Sequence, residues 1–139
     1  MKNLIKISLM LAFFAAIFTG CEKDDVSSPD MKTIMLSKTW TFDKVTTNSN
    51  NVDIQALVAI AGGFLNGSTI KFDANGTYSW VVLNSPSAGT WELVDKTLTL
   101  DKGTEDESVS TVVSISTAQF VFSSNETDPE AFTAVYTWK

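Results

Sequence analysis

Residues 70–82 read "IKFDANGTYSWVV". Side chains of an extended chain alternate between two faces, so Ile70 and Phe72 share one side, as do Tyr78, Trp80 and Val82 after the interruption. Between the two runs stands Asn75-Gly76, a pair that tolerates positive φ and marks a tight turn. The stretch therefore predicts an antiparallel hairpin with one apolar face, and that face has to be buried against something.

The same rhythm recurs in both directions. Trp40 and Phe42 alternate in "TWTFDKV", Trp91 and Leu93 alternate with Thr90 and Glu92, and Leu98 and Leu100 alternate with Thr97 and Thr99. "SVSTVVSI" offers Val109, Val113 and Ile115, "QFVF" offers Phe120 and Phe122, and the last segment sets Phe132, Ala134, Tyr136 and Trp138 opposite Thr133, Thr137 and Lys139. That gives eight strands of about five to eight residues. Their connections, residues 73–76, 84–89, 95–96, 101–107 and 125–130, are short enough to join antiparallel neighbours only. The expected fold is all-β: an eight-stranded antiparallel up-and-down barrel, which leaves no free edges, with an open sandwich as the competing solution.

Two segments depart from the alternation. Ser28-Pro29-Asp30 opens a short N-terminal helix, with Met31, Ile34 and Met35 on one face. Between strands 1 and 2, the run from Ile54 to Ala61 has Gln55 as its one polar residue; Asn51 can cap it, and Gly62-Gly63 or Asn66-Gly67 can end it. A helix apolar on almost every side is poorly suited to water. It is expected to lie over an open end of the barrel, or to touch a partner or a ligand.

The chain begins Met-Lys-Asn-Leu-Ile-Lys, carrying two lysines, and continues with "ISLMLAFFAAIF", residues 7–18, in which Ser8 alone is polar. This run is too short to span ~30 Å of hydrocarbon and suits an export signal. Thr19-Gly20 then precede Cys21, the only cysteine. The pattern resembles the bacterial lipoprotein signal, in which the cysteine receives diacylglycerol and becomes the new N-terminus. Lys23, Asp24 and Asp25 resemble the export tag of Bacteroidetes lipoproteins displayed on the outer face of the outer membrane. The expected organisation is a signal peptide over residues 1–20, a lipidated tether over 21–28 and a barrel domain over 29–139. Lipid anchoring would make the membrane the first partner, since each buried methylene contributes about 0.8 kcal/mol.

Removing residues 1–20 takes away two lysines and no acid, leaving eight lysines against 16 acidic residues and a net charge of −8. Phosphate backbones repel such a domain, so nucleic acid is excluded as a partner. A single cysteine allows no intramolecular disulfide, and its acylation leaves no thiol for redox work. Histidine is absent, which removes the commonest general base and zinc ligand. The acidic run "DKGTEDE" lacks the spacing of a calcium loop and reads as a solvated turn. No phosphate loop, dinucleotide fingerprint or nucleophile elbow occurs, and the carboxylates fall in turns or on the outward phase of strands. No cofactor, metal or catalytic residue is expected.

Three motifs carry a family resemblance: Leu36-x-x-x-Trp40, the run Phe72-Asp73-Ala74-Asn75-Gly76-Thr77-Tyr78, and Gly89-Thr90-Trp91-Glu92-Leu93. From Leu36 onward the chain resembles the lipocalin-like lipoproteins of the Bacteroidetes, with Lys38 where many members have glycine. The resemblance implies an up-and-down barrel whose interior can hold a small hydrophobic molecule. Related fatty-acid-binding barrels insert helices between the first two strands, where residues 51–66 lie here. Two outcomes stay open: the aromatic side chains fill the barrel, or they line a cavity. For a cavity, the candidate ligand-binding residues are Tyr78, Trp80, Tyr136 and Trp138 on the strands, with Ile54, Leu57, Val58 and Phe64 on the helix as a lid. For a filled barrel, the helix is a docking surface for a cell-surface complex.

Overall fold

The computed structural model describes residues 27–128 and 130–139. Cys21, Lys23, Asp24 and Asp25 lie outside the described residues. Two helices and eight strands follow in the order α1 (Ser28–Leu36), β1 (Trp40–Thr47), α2 (Val52–Leu65), β2 (Thr69–Phe72), β3 (Thr77–Val82), β4 (Ser85–Val94), β5 (Thr97–Leu100), β6 (Ser108–Ile115), β7 (Phe120–Glu126) and β8 (Phe132–Trp138). Each strand pairs with its sequence neighbours, and β1 pairs with β8 to close the barrel. The fold is the expected all-β, eight-stranded up-and-down barrel with an N-terminal helix and a helical insertion after strand 1.

One end of the barrel is filled. Trp40, Phe72, Phe120 and Leu98 are almost completely buried there, and Met31 and Met35 of α1 join the same core. Phe72 meets both Trp91 and Phe120 edge-on, at centroid distances of 5.3 and 6.1 Å, geometry that aromatic quadrupoles favour. The Trp40 Nε1–H donates to the Met35 carbonyl at 3.0 Å, which ties the end of α1 to the start of β1. Lys38 places its Nζ 4.6 Å from the Trp40 ring centroid, so a cation covers the ring.

Three local details differ from the sequence reading. The N-cap of α1 is Ser27 rather than Ser28, and its hydroxyl donates to the Asp30 carboxylate at 2.5 Å. Residues 85–89 are not a connection: β4 starts at Ser85, and the turn is Leu83-Asn84, both at positive φ (49° and 63°). The proline and serines of this stretch suggested a loop, yet Pro86 sits opposite Val81 in the ladder. In β6 the inward residues are Ser110 and Val112, while Val109 and Val113 are each 54% exposed. A register shift between Val112 and Ser114 then returns Ile115 to the core. This bulge splits the strand into two phases, so a single alternation counted back from Ile115 selects the wrong valines.

A second bulge does similar work in β1. Trp40 and Phe42 face the core; the register shifts between Phe42 and Lys44, and Asp43 and Lys44 are both exposed before Val45 turns inward. Without the extra residue, strict alternation would drive Lys44 into the barrel.

Candidate functional site: a half-open barrel cavity

The aromatic core stops partway up the barrel. Beyond it lies a cavity of about 490 Å³, within the roughly 300–1,000 Å³ typical of small-molecule sites. Its apolar wall is made by Tyr78, Trp80, Leu98, Leu100, Phe122, Tyr136 and Trp138, and Leu65 at the end of α2 completes it. Phe122 stacks on Tyr136 at 5.2 Å and 21°, and Trp80 meets Trp138 edge-on at 6.3 Å. Alternation explains their convergence, because these positions are the inward phase of β3, β7 and β8. Fewer large side chains point inward higher up: Ser87, Ala88, Ser108, Ser110 and Ser124 line the same space. Small residues there leave the volume that the aromatics occupy lower down.

Three carboxylates also line the cavity: Asp101, Asp106 and Glu126. Asp101 is held by two donors, the Tyr78 hydroxyl at 2.6 Å and the Thr90 amide at 2.9 Å. Gly89 makes room for it, since a Cβ at that position would lie 2.0 Å from Asp101 Oδ1. Burial, reinforced by the hydrogen bond to Asp101 and the nearby negative charges of Asp101 and Asp106, pushes the Tyr78 hydroxyl up to about 12. Burial and then the charge of Glu126 raise Tyr136 in the same direction. Among the described residues no cation is seen to pair with Asp106 or Glu126; Lys71, Lys102 and Lys139 form their ion pairs with Asp73, Glu92 and Asp43.

α2 leans on the barrel beside this opening. Asn51 caps it by accepting from the Asp53 amide at 2.9 Å, and the helix runs through Gly62-Gly63 before Gly67, at φ 78°, ends the segment. A Cβ on Gly62 would come within 3.3 Å of Val45, so glycine permits the close approach to β1. Ile54 and Val58 are buried, whereas Val52, Leu57, Ile60 and Phe64 are exposed. A second, shallower groove of about 240 Å³ runs between the helix and the barrel rim, with Leu57, Val58, Val45, Phe132 and Tyr136 among its walls.

The candidate residues thus separate into groups. Tyr78, Trp80, Tyr136 and Trp138 share the main cavity. Leu57 and Val58 line the side groove; Ile54 is fully buried, and Phe64, 58% exposed, lines neither space. The sequence reading missed the polar wall. Ser124 and Glu126 continue the inward phase of Phe120 and Phe122, so extending that alternation by two steps would have found them. Ser110 was hidden by the β6 bulge. Asp101 depends on a distant glycine and tyrosine, and its local sequence gives no sign of this. Among the described residues, no group of three or more His, Cys, Asp or Glu side chains is arranged to hold a metal ion.

A closed, up-and-down barrel with a cavity toward one end is an architecture that can hold a small molecule. The model of the lipocalin-like domain family matches residues 36–122, more than half of the chain, and the protein belongs to that family. A crystal structure of a DUF4847 family protein from Bacteroides vulgatus is similar at 17% identity and a TM-score of 0.47, covering 76% of this chain and 95% of that one. No curated protein matches the sequence.

Proposed function

We propose that this protein is a surface-exposed outer-membrane lipoprotein whose barrel is a non-catalytic binding module for a small, largely apolar molecule. The cavity of about 490 Å³ carries the reading, because aromatic side chains wall a space that the core leaves unfilled. The signal-like N-terminus ending at Cys21, followed by Lys23, Asp24 and Asp25, motivates the lipid anchor and the outward-facing address. Native mass spectrometry of residues 27–139 purified under mild conditions tests the binding role, with a bound small molecule as the expected result. Absence of any adduct, together with failure of hydrophobic probes to bind, refutes it. Labelling of growing cells with palmitate tests the anchor, since Cys21→Ser is expected to abolish the label.

A second reading has its own observation. The exposed apolar face of α2, with Val52, Leu57, Ile60 and Phe64, suits a structural subunit that docks onto a cell-surface protein complex. Crosslinking on whole cells distinguishes the two, because a reproducible partner lost on mutation of this face favours docking.

A further inference from the structure

We infer that the cavity selects an organic cation, a protonated amine carrying an apolar body, over the fatty acids that a greasy barrel suggests. The inference rests on the binding reading above and specifies its ligand class.

The first ground is charge. Asp101, Asp106 and Glu126 line the cavity, no lysine does, and the chain contains no arginine. Asp101 is already engaged by Tyr78 and Thr90, but Asp106 and Glu126 have no cationic partner among the described residues. A carboxylate ligand entering this space would meet like charge without a compensating cation, and in a partly desolvated site that repulsion is weakly screened. An ammonium group would find two unpaired acceptors.

The second ground is unmet hydrogen bonding. Ser110 is only 8% exposed, lines the cavity, and its hydroxyl makes no hydrogen bond to another described residue. Ser124, beside Glu126 on the same inward phase, is also without a hydroxyl partner. The buried unpartnered side-chain atoms of the wall residues are the Nε1–H groups of Trp80 and Trp138, whereas the Ser110 and Ser124 hydroxyls are not sealed off and stay open to a polar group of a ligand. A protonated amine carries several N–H donors, which carboxylates and serine hydroxyls accept.

The experiment compares three ligands with one chain length and different heads: dodecylamine, dodecanol and dodecanoate. Isothermal titration of residues 27–139 at low ionic strength reads their affinities, with tryptophan fluorescence as a second signal. Dodecylamine is expected to bind roughly tenfold or more tighter than dodecanol, with dodecanoate weakest. Glu126→Gln is expected to remove most of the amine's advantage over dodecanol and to narrow the gap between dodecylamine and dodecanoate. Equal affinities for the three heads, or an advantage that survives both Glu126→Gln and Asp106→Asn, would overturn the cation assignment while leaving the binding role intact. If none of the three binds, the cavity is not a ligand site and both readings fall.

Discussion

Gly89→Ala offers the sharpest test of how the polar wall is built. Gly89 does not need a left-handed backbone, so the effect is purely steric. The new methyl group would sit 2.0 Å from Asp101 Oδ1 and 2.8 Å from a Tyr78 ring carbon. Asp101 is the movable neighbour, and displacing it breaks the bonds from the Tyr78 hydroxyl and the Thr90 amide. Hydrogen bonds to a charged group contribute about 1.5–3 kcal/mol each, and the partial exposure of this carboxylate favours the lower end. The expected loss is therefore about 2–4 kcal/mol, read by urea denaturation with tryptophan fluorescence. A second readout is the titration of Tyr78. Its pKa of about 12 is expected to fall only part of the way toward 10, because burial is the larger cause and persists. The signs follow from linkage: a tyrosine whose pKa is raised on folding stabilises the protein fully below pH 10, and that contribution fades as pH rises through 12. In Gly89→Ala the fade begins at lower pH. A double-mutant cycle with Asp101→Ala adds a check, since the two changes should cost less together than their sum. Wild-type stability and an unchanged tyrosine titration in Gly89→Ala would show that the carboxylate does not occupy this place.

Trp40→Phe removes the donor to the Met35 carbonyl and opens space in a fully buried site; a loss of about 2–4 kcal/mol by denaturation is expected. On α2, Ile54→Ala is expected to cost about 2–4 kcal/mol, whereas Phe64→Ser should stay within about 0.5 kcal/mol. The opposite ranking of melting temperatures would mean that the helix packs through its other face. Ser110→Leu projects a larger side chain into the cavity and is expected to abolish small-molecule adducts in native mass spectra while circular dichroism stays β-type. Undiminished adducts would place the ligand elsewhere.

The barrel was readable because each strand buries one face and exposes the other, so a period of two survives in the residues themselves. The hairpin at Asn75-Gly76 is an example: the Asn75 side chain accepts from the Thr77 amide, and Gly76 adopts φ 83°, local chemistry that needs no distant partner. What escaped the sequence were the places where alternation breaks. The β6 bulge exchanged Val109 and Val113 for Ser110 and Val112 on the inward face, and a two-residue turn at Leu83-Asn84 gave no glycine or proline to mark it. The site was half legible for the same reason. Large inward aromatics announce themselves, whereas Asp101 acquires its role from Gly89 and Tyr78, each more than ten residues away.

The unequal ends of the barrel also fix a direction. α1 stoppers the packed pole, so a guest that settles on the aromatic floor must enter and leave past the acidic and serine-lined rim at the opposite pole.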